Sequence, residues 1–431
     1  MKAAPKSISP HPKSKYAWVV FAVSVLFVFY KYILEVSPSI MTKQLMSDFK
    51  IDAAMVGHVA ASYYYAYTLM QIPGGLLIDA FGPRRTTTAG LFLCSIGALI
   101  FASSESVMLI SISRFLIGIG ATFAILNTFK INSSWFPAKR FALLAGLMLT
   151  LGTLGAVFGQ APLSHLVNYI GWRRSFVDLG IFGLIFSVIF LLIVRDKPRH
   201  PAYDVTPPTK GKVKLSVAVR HTLGRKQTWI LSFYSGLSFT PVLSFAGLWG
   251  VSFIEAKYQF DQASASFLTS LVFIGFAVGA PFFGWYSSFM GKRKPLMYWG
   301  TSASFILMTL AIYSPPMPFF FYAPLMFLIG FAISPFLLSF SVIHEINVPL
   351  MTATAIGIMN TFNGLFGALT DPLIGFFLDL SGGSIIKDGI QTFSIRDFHL
   401  SFAILPIYLL ICLILLFFIK ETNCVQTVED K

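Results

Sequence analysis

Two stretches decide the fold: Gly75-Leu-Leu-Ile-Asp79-Ala-Phe-Gly82-Pro-Arg84-Arg85 and Gly284-Trp-Tyr-Ser-Ser288-Phe-Met-Gly291-Lys292-Arg293-Lys294. Every matched position is offset by 209 residues: Gly75 to Gly284, Asp79 to Ser288, Gly82 to Gly291, Arg85 to Lys294. A repeat of that length places two structurally equivalent units in one chain. The first glycine of each copy is expected to let a neighbouring helix approach closely. The second permits a tight turn, and the cationic pair is expected to anchor the loop at lipid headgroups. Asp79, at a helix end, is expected to bond a neighbouring helix N-terminus or an arginine, a contact that Ser288 cannot make.

Around these loops the 431 residues are 55% hydrophobic and 12% charged, with 45 Phe. A soluble protein of this size carries about twice that charge. At about 20 to 25 residues per crossing, the apolar material suffices for a dozen helices and little else. That excludes a soluble enzyme, a secreted disulfide scaffold and a disordered regulator. Apolar runs fall at Tyr16–Met41, Ala54–Ile78, Thr86–Ser103, Val107–Lys130, Phe141–Leu166 and Ser175–Val194. They resume at Trp229–Ile254, Ser264–Ser287, Pro295–Ser314, Phe319–Ile343, Thr352–Leu378 and Leu400–Ile419. The expectation is an all-α membrane protein of twelve transmembrane helices in two pseudo-symmetric six-helix bundles, residues 16–194 and 229–419. A cytoplasmic tail (1–15), a linker (195–228) and a second tail (420–431) complete it. Cys94, Cys412 and Cys424 form no disulfide framework.

With both ends placed inside, cytoplasmic segments hold 23 of the 32 Lys and Arg, outer segments 7, and Lys31 and Arg114 lie within spans. This asymmetry obeys the positive-inside rule and removes nucleic acid as a partner for the formal charge of +14. The N-terminus, with Lys2, Lys6, Lys13 and Lys15 and no cleavage site, reads as a cytoplasmic tail. The proline-bearing linker, with a helical stretch at Val213–Leu223, is read as lying on the membrane among anionic lipids.

The Asp79 loop resembles the signature loop of the major facilitator superfamily, G-x-x-x-D-x-x-G-x-[RK]-[RK], with a degenerate copy in the second half. Ala80 departs from it, standing where a basic residue is common. Arg114-Phe-Leu-Ile-Gly118-Ile-Gly120 resembles the family's R-x-x-x-G-x-G element, and Gly171-Trp172-Arg173-Arg174-Ser-Phe176 its outer loop before the sixth span. A narrower resemblance, to bacterial phagosomal amino-acid and nucleoside transporters, rests on three segments. They are Glu35-Val-Ser-Pro38-Ser, Tyr63-Tyr64-Tyr65-Ala-Tyr67 running into Gln71-Ile-Pro73, and Asn127-Thr-Phe-Lys130. Glu35 stands where that subgroup often has a basic residue. The resemblance implies alternating access, with Gly75, Asp79, Gly82, Arg84, Arg85, Gly284, Gly291 and Arg293 as gating residues.

Ionisable residues inside spans are functional candidates. Lys31 and Glu35, one helical turn apart, form either a structural ion pair or a site for a zwitterion, with Glu35 and Asp371 as proton-coupling candidates. Arg114 is either a cavity cation or a packing residue bonded to backbone carbonyls, and Lys130 either binds substrate or snorkels. Tyr64 and Tyr67 share a helix face and are assigned to the cavity, with Tyr63 and Tyr65 left to lipid-facing packing. Asn127, Asn360 and Asn363 complete the substrate-binding candidates, the latter two sharing a face. Asp178 and Glu345 are read as interfacial and His58 as packed. In the fifth span, Gly152, Gly155 and Gly159 precede Gln160 and Pro162, whereas the antiporter element of exporters places proline directly after its second glycine. No metal-ligand spacing, Walker loop, G-x-S-x-G elbow or dinucleotide fingerprint occurs, so neither cofactor nor enzymatic activity is expected. The sequence therefore reads as a monomeric secondary transporter of the bacterial inner membrane. It would import a small polar nutrient, such as an amino acid, with protons. A proton antiporter exporting drugs or a siderophore-like metabolite, and a non-transporting receptor, are the alternatives.

Overall fold

The computed structural model describes residues 15–136, 138–196, 220–347, 349–381, 385–387 and 390–425. Six helices form the first bundle: α1 (Lys15–Val36), α2 (Ala53–Phe81), α3 (Pro83–Ser103), α4 (Val107–Trp135), α5 (Ala138–Phe158) and α6 (Trp172–Ile193). The second comprises α7 (Lys226–Thr240), α8 (Gln262–Met290), α9 (Lys294–Tyr313), α10 (Phe319–Ile333), α11 (Pro349–Leu380) and α12 (Ile404–Phe418). Ten helical spans among the described residues are apolar and long enough to cross a membrane. Helices α2 and α11, of 29 and 32 residues, complete the twelve and carry much of the interior polarity. An antiparallel hairpin, β1 (Ile385–Lys387) with β2 (Ile390–Thr392), is the one departure from the all-α expectation among the described residues. Most of the linker, including the start of its expected helix, and residues 1–14 lie outside the described residues.

Local chemistry sets the helix ends. Asp52 and Ser106 cap α2 and α4, their side chains accepting from the amides of Met55 and Leu109. Four spans read as continuous are broken beside a proline, Phe319–Ile343 among them by a 3-10 turn at Ser334–Leu337. Helix α1 stops before Pro38 in a 3-10 turn, Ser37–Ile40. Helix α5 stops at Gln160 and resumes as Ala161–Ile170, with Pro162 in its first turn. Helix α7 runs into a π-helical turn, Pro241–Trp249, before Gly250–Tyr258. Proline supplies no N–H for the helical ladder, so each break begins beside one, and π-turns cluster at functional sites.

The bundles meet along α2 with α11 and α5 with α8, and glycines show how far each seam is closed. On the face away from Gly82 and Gly291, a side-chain carbon at Gly57 would lie 2.5 Å from the Asp371 carbonyl oxygen, and one at Gly375 2.3 Å from that of Ala53. Helices α2 and α11 are therefore in contact there. On the loop face, carbons built at Gly75, Gly146, Gly284 and Gly357, one on each seam helix, would meet nothing within 4 Å. The seams are closed on the distal face and open on the loop face. The close approach expected at Gly75 and Gly284 is absent in this state.

Polar contacts across the distal seam are specific. Lys43 pairs with Glu255 at 3.0 Å, and Thr42 Oγ1 lies 2.8 Å from Ser252 Oγ. The Asp379 carboxylate accepts from the amides of Ala53 and Ala54, at 3.1 and 2.7 Å, beside the positive N-terminus of α2. Gln160, fully buried, donates to Ala246 O and accepts from Thr269 Oγ1, both at 2.7 Å.

Candidate functional site

The charged interior is built where α1 ends. Pro38 cannot donate to Leu34 O, and Arg114 supplies the missing hydrogen bonds: Nη1 donates to Leu34 O at 2.5 Å and Nη2 to Glu35 O at 3.1 Å. Arg114 is fully buried and lies 5.1 Å from the centre of the Tyr63 ring. It thus binds backbone carbonyls, and its Nε alone lacks a partner. Arg114→Met should remove both of these bonds, leaving Leu34 O with Ser37 Oγ alone and Glu35 O without the guanidinium, at about 1–3 kcal/mol. The melting temperature of the detergent-purified protein should fall clearly; an unchanged value would mean that water takes over those bonds.

Lys31 Nζ and Glu35 Oε2 form an ion pair, both side chains almost wholly enclosed. Glu35 Oε2 also accepts from Tyr63 OH at 3.2 Å. Around the ammonium stand the rings of Tyr32 at 3.9 Å and Tyr67 at 5.2 Å. Tyr67 stacks on Tyr63 at 5.9 Å, and Tyr64 meets Tyr63 edge-on. Tyr63, assigned to lipid by its sequence position, is fully buried and is the tyrosine bonded to the charge pair. Tyr65 is half-buried and donates to Ala368 O of α11 at 3.3 Å.

A narrow central cavity of about 20 Å³ lies between the bundles. Tyr32, Glu35, Tyr64 and Thr153 line its first-bundle wall, and Phe239, Leu243, Phe273 and Phe276 its second. One wall is polar and charged, the other apolar. A wider hollow opens on the distal face, lined by Lys43, Ser252, Glu255 and Ser394 and reaching Trp249. Asp371, only 1% exposed, sits near Ser244 of the π-turn.

Other expected site residues go elsewhere. Asn127 accepts from Thr86 Oγ1 at 3.2 Å, joining α4 to α3. Asn363 accepts from Ser235 Oγ at 2.8 Å, joining α11 to α7. Asn360 is partly exposed and makes no hydrogen bond among the described residues. His58 is exposed rather than packed, and Asp178 pairs with Arg174 at 3.3 Å.

The loop residues form two dissimilar constructions. Asp79 pairs at 2.7 Å with Lys130, neither the helix N-terminus nor the arginine expected, and both side chains are exposed. Gly82 (φ +81°) and Gly291 (φ +65°) make the turns that favour glycine. The Arg84 guanidinium caps α6 through Leu191 O at 2.6 and 2.8 Å, while Arg85 is exposed. In the second half Arg293 binds Glu345 Oε1 at 2.9 Å, so Glu345 is a buried partner rather than an interfacial charge. The Glu421 carboxylate accepts from the amides of Arg293 and Lys294. Burial opposes its ionisation, but the amides of Arg293, Asn423, Lys294 and Thr422 hold it below its ordinary value.

The sequence profile of the Major Facilitator Superfamily matches residues 18–369 and 237–426. An uncharacterized transporter, YybO of Bacillus subtilis, is 24% identical over 293 residues, 64% of this chain and 66% of its own length. A probable galactarate/D-glucarate transporter of Bacillus subtilis, GudP, is 25% identical over 47% of this chain and 46% of its own. A probable sulfoacetate transporter of Cupriavidus necator, SauU, is 22% identical over 84% and 88% respectively. The chain thus spans less than two thirds of the length of the first two. Among solved structures, an inward-facing, unoccupied bacterial homolog of the human lysosomal transporter Spinster superposes with a TM-score of 0.74 at 16% identity, covering 95% of this chain and 98% of that one. A mutant of the nucleoside transporter NupG superposes at 0.70 and 17%, covering 93% and 99%. With the profile matched across both bundles, the chain belongs to the Major Facilitator Superfamily.

Proposed function

We propose that the protein is a secondary active transporter that carries a small zwitterion, an amino acid with an apolar side chain, together with protons by alternating access. The two-walled cavity carries this reading. Glu35, paired to Lys31, presents charge beside Tyr32 and Tyr64, and Phe239, Phe273 and Phe276 face it. A zwitterion's ammonium meets Glu35 on the first wall, with Lys31 behind it, and its side chain is buried against the second. Accumulation of labelled leucine in proteoliposomes under an imposed pH gradient tests it; a drug exporter or a receptor would show none. A second reading, an organic carboxylate, has specific support in the substrates for which the relatives are named, galactarate/D-glucarate and sulfoacetate. Glucarate accumulating in place of leucine would select it.

In this reading the loop face is cytoplasmic, as its basic residues favour, and the state described is open inward. Single cysteines replacing Thr209 and Lys387, in a background lacking Cys94, Cys412 and Cys424, should label from opposite sides of the membrane. An impermeant maleimide reaching the position of Thr209 in intact cells would reverse the assignment.

The exposed Asp79–Lys130 pair leaves Asp79 free to exchange partners when the loop face closes, whereas Arg293 is held between Glu345, Ser287 and Glu421. Asp79→Asn should cut uptake strongly with expression nearly intact, and Ser288→Ala should be milder. Equal losses would remove the asymmetry between the halves.

A further inference from the structure

We propose that the driving proton binds at the Asp371 carboxyl, next to the Ser244 hydroxyl, in the septum between the central cavity and the distal hollow. The inference rests on the proton-coupled reading above and chooses between its two carboxyl candidates.

The contrast with Glu35 comes first. The Glu35 carboxylate is bonded to Lys31 and Tyr63, so it has its counter-ion and a hydrogen-bond donor. Asp371 has no ion pair among the described residues: it is 1% exposed, and Oδ1 has no hydrogen-bond partner. Ser244, fully buried, is the hydroxyl beside the carboxyl. A buried carboxyl with one oxygen unpartnered fits a site that takes up something small and positive. A proton satisfies it, because the neutral carboxyl becomes a donor and Ser244 Oγ can accept from it.

Placement supplies the coupling. In the π-turn, Val242, Leu243 and Gly247 line the central cavity, whereas Trp249 lines the distal hollow. Trp249 Nε1 donates to Asp371 O at 3.1 Å. That same carbonyl oxygen abuts Gly57 of α2, where the distal seam closes. The carboxyl therefore lies between the two compartments, on the helix pair that must part for the distal face to open. The groups around it are Ser244 and Trp249 of the π-turn, Tyr64 and Tyr65 of α2, Arg114 of α4 and Glu35 of α1. Of the two nearby charges, Arg114 is engaged by Leu34 O and Glu35 O, and Glu35 by Lys31.

The cycle follows from charge balance. From the distal side a proton adds to the ionised carboxylate, giving a neutral acid over which the α2–α11 seam can close. Released to the loop side, it leaves an enclosed anion that the junction cannot stabilise, and this favours reopening. One proton enters and one leaves per cycle.

The test needs no substrate. Infrared difference spectra of the full-length protein in liposomes, recorded across a pH titration, should contain a carboxyl C=O band that disappears as pH rises. The band should be lost in Asp371→Asn, kept in Lys31→Met/Glu35→Gln, and shifted in midpoint by Ser244→Ala, which also serves if Asp371→Asn fails to fold. The titration should be the same in sodium chloride and choline chloride. A band that survives Asp371→Asn, vanishes with Glu35 or depends on sodium overturns the proposal. In the transport assay Asp371→Asn should keep leucine counterflow while accumulation falls to equilibrium. If no amino acid moves in the wild type but the band behaves as stated, the substrate reading fails and the proton site stands.

Discussion

Replacing Gly57 with leucine should abolish uptake and leave the protein folded but open on its distal face. A carbon at this position would lie 2.5 Å from Asp371 O and 2.6 Å from Pro372 Cα. Both are backbone atoms, so no rotamer change relieves the overlap, and α2 and α11 must separate. Separation is the motion that alternating access requires, so the variant has a folded state to occupy. With Ser252→Cys as a reporter beside Thr42, labelling from the distal side should rise about tenfold, the result of a population shift of roughly 1.4 kcal/mol. Uptake at the wild-type rate would show that the seam at Gly57 need not close for transport.

The second large effect is expected at the charge pair. Glu35→Gln strands the Lys31 ammonium in a nearly enclosed site, at a cost of about 3–5 kcal/mol when one partner of a buried pair is removed. Folding yield and leucine counterflow should fall together. The double change Lys31→Met with Glu35→Gln removes the stranded charge and should restore the yield. If the pair recognises a zwitterion, counterflow should stay at background in the double variant. Leucine accumulation there would make the pair scaffolding and end its role in recognition.

Much of this interior was legible in one dimension. Lys31 and Glu35 had to share a face, because residues four apart do so on any helix. The 209-residue offset gave the matching turns at Gly82 and Gly291. Tyr63 was missed although its spacing to Tyr67 carried the same signal, since helix periodicity fixes which tyrosines share a face but not the direction of that face. Gln160, read only as a departure from the exporter element, joins the break after α5 to the π-turn and α8. Glu345 looked interfacial because nothing local shows that Arg293 reaches it.

The sequence by itself determined twelve helices and the two-fold repeat. Lipid leaves backbone groups no solvent partner, so apolar runs of sufficient length must close their own hydrogen bonds as helices. Only the tertiary structure decided that the distal seam is shut and the loop seam open, that Arg114 serves the carbonyl freed by Pro38, and that Asp371 is enclosed with Oδ1 unpartnered among the described residues. Those outcomes depend on how two bundles of nearly equal build lean on each other. The alternatives in such a transporter are separated by only a few kcal/mol, spread over contacts between residues hundreds of positions apart, and no local pattern encodes them.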